Sequence, residues 1–126
     1  MAKKSEIRLF VELDDNRIPE KIEWEATDSG FNGRKEANSM MVSFWDKSDK
    51  VTLGIDLWTK EMLVDDMNIH THQVLLKLAD TYRKATKNAE GAELIENFAS
   101  DFAEKLDLKK KVNRNLGEVH PKGEPY

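Results

Sequence analysis

The stretch Leu53-Gly54-Ile55-Asp56-Leu57-Trp58-Thr59-Lys60-Glu61-Met62 divides the chain into two kinds of sequence. Before it, apolar residues recur at every second position; after it, they recur at every third or fourth. The stretch itself reads as the last strand of a sheet feeding the first helix. Strands first and helices second make an α+β chain.

Working back from that junction, Val51, Leu53, Ile55 and Leu57 alternate with Thr52, Gly54, Asp56 and Trp58. The polar run Asp46-Lys47-Ser48-Asp49-Lys50 supplies a hairpin loop, and Met40, Val42 and Phe44 alternate with Met41, Ser43 and Trp45 before it. Near the amino terminus, Ile7, Leu9, Val11 and Leu13 alternate with Arg8, Phe10 and Glu12, and Asp14-Asp15-Asn16 provides turn chemistry. After Pro19 the alternation resumes with Ile22, Trp24 and Ala26 against Lys21, Glu23 and Glu25. Four strands joined by turns predict one four-stranded antiparallel sheet. Residues 27–36 have the composition of a loop, with Gly30 and Gly33 suited to positive φ. Phe31 in that loop is read as a plug at the edge of the core.

Working forward, Asp65 is placed to cap a helix whose apolar positions are Met67, Thr71, Val74, Leu75, Leu78, Tyr82 and Ala85. Asn88 is placed to cap a second, with Leu94, Ile95, Phe98, Ala99, Phe102, Ala103 and Leu106 as its stripe. Phe98 and Phe102, four residues apart, read as core, and Gly91 as a local cost of roughly 1 kcal/mol. The short link predicts two antiparallel helices, packed on one sheet face whose apolar residues include Ile7, Leu9, Ile22, Leu53, Ile55 and Leu57. Residues 1–108 are thus expected to form a single α+β domain. Residues 109–126, polar and without periodicity, read as a disordered tail.

Composition narrows function. The 126 residues carry no cysteine, which excludes disulfides, thiolate metal sites and cysteine nucleophiles. The net charge of −4 is uneven: the tail from Lys109 has five cations against two anions, a balance of +3, which leaves −7 on residues 1–108. An acidic body lacks the clustered cations that phosphate-backbone binding requires, so nucleic acid is not an expected partner. Lys3 and Lys4 run into charged strand sequence rather than a signal peptide's apolar segment, and nothing approaches the roughly 20 apolar residues of a membrane span. The expectation is a cytoplasmic protein that reaches the inner membrane, if at all, through a partner.

The chemistry-bearing clusters are weak. His70-Thr71-His72 is the one histidine cluster, but residues two apart on a helix do not share a face, and with Asp66 only two ligands converge. Glu23 and Glu25 share a strand face, as surface carboxylates often do, without a nucleophile, base and orienter beside them. No phosphate loop or dinucleotide fingerprint occurs. The residues therefore imply no catalytic group, no metal site and no cofactor.

Several ordered segments carry a likeness. Lys3-Lys4-Ser5-Glu6-Ile7, the run from Ile18 through Trp24 to Gly30, Ile55-Asp56-Leu57-Trp58-Thr59-Lys60-Glu61-Met62, Leu78-Ala79-Asp80-Thr81 and Phe102-Ala103-Glu104-Lys105-Leu106 resemble the gliding motility-associated GldC family over about residues 3–108. The resemblance implies a small protein of the bacterial gliding machinery with no assigned reaction and no active-site residues to carry over. The tail looks like an extension beyond the family's usual end.

The sheet face opposite the predicted helices holds Phe10, Met41, Trp45 and Trp58 among Arg8, Glu12, Lys21, Glu23, Glu25 and Asp56. Large apolar side chains within a charged rim have the make-up of a protein interface. Those four residues are the candidate protein-binding site of a non-enzymatic interaction or assembly module. Its partner would be a second copy in a homodimer or a component of the gliding apparatus. The rival reading is a chaperone or secretion-accessory protein, because sheet first and helix pair last is also the outline of SecB-like export chaperones.

Overall fold

The computed structural model describes residues 3–108. They fall into two compact units, one ending at Met62 and the other starting at Leu63. The basic tail from Lys109 lies outside the described residues.

In the first unit the alternating segments form strands β1 (Ile7–Leu13) and β2 (Pro19–Ala26), paired antiparallel from Ile7 opposite Ala26 to Leu13 opposite Pro19. The turn between them is held by the Asp14 carboxylate, which accepts the N–H groups of Asn16 (2.8 Å) and Ile18 (2.9 Å). Asp14 also receives Lys60 Nζ at 2.6 Å. The Lys60 ammonium first, then the Ile18 amide, holds this carboxyl below its usual range, while Asp14 raises Lys60.

The sheet departs from the predicted four-stranded one. A short strand, β3 (Lys35–Ala37), pairs with β2, while β4 (Ser39–Trp45) pairs with β5 (Thr52–Trp58). The result is a three-stranded sheet ordered β1-β2-β3 and a two-stranded sheet β4-β5, all antiparallel. The chain bends at Asn38 between β3 and β4, so one run of extended backbone serves β2 with its first half and β5 with its second. Bent strands that change sheets are a common way to make such corners. Asn38 stays tied to the end of β5, since its carbonyl accepts Thr59 N at 2.8 Å and its side-chain oxygen accepts the Thr59 hydroxyl at 3.1 Å.

Ile22 is the buried centre of this unit, opposite Val11 on one side and Ala37 on the other. Phe31 sets its ring edge-to-face against Trp24 with centroids 5.2 Å apart, so the loop aromatic packs on the strand. Buried Ser29 shapes that loop through a hydrogen bond from its hydroxyl to the Phe31 carbonyl.

The second unit is a helical hairpin, α1 (Val64–Thr86) and α2 (Ala89–Lys105). Helix α1 begins one residue before the expected cap, leaving Asp65 and Asp66 in its first turn, where carboxylates favour the helix dipole. Lys87 in the left-handed region (φ 61°) ends α1, and the Asn88 side chain caps α2 by accepting Gly91 N at 3.0 Å. The seam is built from small residues: Ala79, Ala92 and Ala99 are fully buried. A Cβ at Gly91 would lie 2.5 Å from the Tyr82 ring, so any larger residue there requires that ring to move. Arg83 and Glu96 bridge the helices at 2.8 Å, and each raises the other's preference for its charged form.

Phe98 does not occupy the core position predicted for it. It is 58% exposed, and Phe102 is half-buried with its ring centroid 6.3 Å away. Alanines at the seam let the helices approach closely and leave the larger side chains to flank it. Leu78 and Leu94 are exposed as well.

Candidate functional site

The β4–β5 ladder fixes which side chains share a face. Ser39 lies opposite Trp58, Met41 opposite Asp56, Ser43 opposite Gly54 and Trp45 opposite Thr52. Directly opposite residues point to the same side of a sheet, so Met41, Trp45 and Trp58 stand on one surface. All three are exposed, at 41%, 67% and 56%.

They are spread along the ladder. Six residues separate the pairs of Trp45 and Trp58, about 20 Å of strand. Between the two indoles the surface drops at Ser43 and Gly54, where a Cβ would meet the Val42 carbonyl at 3.1 Å. The face is therefore a shallow saddle with an indole at each end, Met41 near Trp58 and one carboxylate, Asp56, beside Met41. The turn that carries Trp45 is firmly made: Asp46 N donates to Val51 O (2.8 Å), Lys50 N to Asp46 O (3.0 Å) and Asp49 N to the Asp46 carboxylate (2.7 Å), with Lys50 at φ 55°.

Phe10, the fourth predicted residue, belongs to β1 in the other sheet. Its ring is half-buried beneath the Arg34 guanidinium, 3.5 Å from the ring centroid, and Arg34 is itself paired with Glu23 at 3.3 Å. Three of the four predicted residues thus share one face of a single ladder, spread along its length, and the fourth has an intramolecular occupant on its ring face.

Alternation missed the reverse side of the hairpin. Its cross-strand pairs are Met40 with Leu57, Val42 with Ile55 and Phe44 with Leu53, apolar on both strands. Phe44, Leu53 and Ile55 are nevertheless exposed. The signal for an exposed apolar face was present in the sequence, since β4 has apolar residues at both parities, but periodicity assigns such a face to the interior by default.

The remaining chemistry is sparse. Half-buried His70 has its ring Nε2 buried without a hydrogen-bond partner, and burial lowers its pKa. Among the described residues no group of three His, Asp or Glu side chains is arranged to hold a metal ion. A recess of about 310 Å³ lined by Glu6, Arg8, Glu25, Thr27, Phe31 and Gly33 lies open to solvent, its cation already paired with Glu6 (3.2 Å) and Glu25 (3.9 Å). No helix of the described residues is long and apolar enough to cross a membrane.

Comparison with protein families matches residues 19–108 to the family described as gliding motility-associated protein GldC-like. The chain belongs to this family. The match covers all of β2 to β5 and both helices. Comparisons with curated proteins and with solved structures found no match.

Proposed function

We propose that the chain is a non-enzymatic interaction and assembly module of the gliding machinery, and that it engages a protein partner of that apparatus through the Met41, Trp45 and Trp58 face of the β4–β5 hairpin. The observation that carries this is the placement of two exposed indoles and a methionine on one side of a single ladder. Trp is the residue type most concentrated at energetically dominant interface positions, and methionine adapts its shape to a partner. Extended apolar patches on a free surface usually mark such sites. A shallow saddle suits a protein surface better than a small substrate, which requires concave enclosure. In this role the protein is cytoplasmic and meets the inner membrane through its partner.

The test replaces Trp45 and Trp58 together by alanine in a gliding bacterium. Loss of the partner cross-linked to the wild-type protein, and loss of gliding, are expected while circular dichroism is unchanged. A folded double variant that keeps its partner would overturn the proposal. A second reading draws on the reverse face, where Phe44, Leu53 and Ile55 are also exposed: a SecB-like holdase that binds unfolded chains on either side of the hairpin. Binding of several unrelated unfolded polypeptides by the purified chain would favour it, and strict selectivity for one native partner would oppose it.

A further inference from the structure

Among the described residues, strand β1 has a hydrogen-bonded neighbour on one side only. The direction of its free backbone groups follows from its first rungs. Glu6 O accepts Thr27 N at 3.0 Å, so Glu6 faces β2; alternation then turns Arg8, Phe10 and Glu12 toward β2, and Ile7, Leu9, Val11 and Leu13 outward. Seven residues of open edge result, without a proline in them, and the side chains of Ile7, Leu9 and Leu13 are exposed. Such an edge is a template for another strand unless it is blocked.

We propose that the occupant is β1 of a second copy, paired antiparallel about a two-fold axis through Phe10, so that two three-stranded sheets join into one of six strands. This register makes the strand complementary to itself. Leu9 then lies opposite Val11 of the second copy and Ile7 opposite its Leu13, all with outward backbone groups, giving about eight main-chain hydrogen bonds. Phe10 meets its own counterpart at the axis. On the same face, Arg8, whose exposed guanidinium also lies 3.2 Å from Glu6 and 3.9 Å from Glu25 of its own chain, meets Glu12 of the second copy, and Glu12 meets its Arg8, each pair once on either side of the axis.

Other registers mismatch either the charges or the apolar positions; an axis through Ile7 pairs Arg8 with Glu6 but sets Leu9 against Ser5 and Phe10 against Lys4. Axes through Arg8 or Glu12 bring like charges into contact, and an axis through Leu9 sets Glu6 against Glu12. An axis through Val11 sets Phe10 against Glu12 and Ile7 against Asp15. Only the Phe10 axis matches both the apolar and the charged positions. A closed two-fold contact also uses up both edges, as a discrete dimer requires.

Absence of cysteine makes the axis directly testable. Residues facing each other in a non-hydrogen-bonded antiparallel pair have Cα atoms about 4.5 Å apart, inside the range a disulfide spans. Phe10→Cys should therefore form a covalent dimer under mild oxidation, whereas Ser48→Cys, in the β4–β5 turn, should not. The wild-type chain should show twice its 14.5 kDa mass by light scattering. Glu12→Arg should return it to the mass of one chain, and adding Arg8→Glu should restore the doubled mass. A wild-type protein monomeric at every concentration, a dimer indifferent to Glu12→Arg, or a dimer in which Phe10→Cys stays reduced would each overturn the proposal. This dimer stands apart from the tryptophan face: the Trp45→Ala, Trp58→Ala protein should retain the doubled mass even after losing its partner, so the two proposals can fail separately.

Discussion

The helical hairpin and the β4–β5 hairpin are both antiparallel pairs, yet they treat their side chains in opposite ways. In the helices the smallest residues occupy the seam: Ala79, Ala92 and Ala99 are fully buried, Gly91 receives the Tyr82 ring and Arg83 bridges to Glu96. In the β-hairpin no side chain is fully buried, and large apolar residues are exposed on both faces. The lesson is that one pair is tuned for internal fit and the other for outward contact, so the same size of substitution should have very different consequences in the two places.

The strongest attempt to break this contrast is Ala92→Leu. Overpacking a closed seam typically costs about 1–3 kcal/mol, and a lower midpoint in urea is expected without a change in partner binding. Indifference to the added bulk would show that the seam is loose and remove the distinction. A smaller, pH-dependent effect should come from His70. Burial depresses its folded pKa below 6.5, so the unfolded chain binds the extra proton. Stability should be full above pH 6.5 and decline as pH falls from there toward the folded value. His70→Gln should flatten that part of a stability-against-pH curve, and an unchanged slope would show that the ring is solvated in both states. Least affected should be Trp45→Ala, whose exposed indole leaves stability within about 0.5 kcal/mol of wild type. A clearly lower melting temperature there would make Trp45 a structural residue and weaken its assignment to an interface.

Much of the architecture was legible because periodicity is a local property. The strand from Ile7 to Leu13, the hairpin loop from Asp46 to Lys50 and the cap at Asn88 fall where alternation, turn chemistry and capping place them. The β3 strand was not legible: Lys35-Glu36-Ala37 is short, charged and adjacent to glycine-rich loop sequence, and its pairing with Ile22, Glu23 and Trp24 is a tertiary event. Nor does periodicity rank members of one stripe. Leu94 and Phe98 carry the stronger apolar signal, yet Ala92 and Ala99 take the seam because close approach favours the absence of bulk. The candidate site divides in the same way. Spacing within one ladder places Met41, Trp45 and Trp58 on one face, but it cannot show that Arg34, distant in sequence, covers Phe10.

The bend at Asn38 has a mechanical side. Because β3 and β4 are one covalent run, a pull on the tip of the β4–β5 hairpin passes through Asn38 into the rungs that Ile22, Glu23 and Trp24 make with Ala37, Glu36 and Lys35. Those three rungs are what hold β3 to β2. The anchor Thr59 makes on Asn38 shares that load with β5. Tension applied to the hairpin would thus reach the buried Ile22 along the backbone itself.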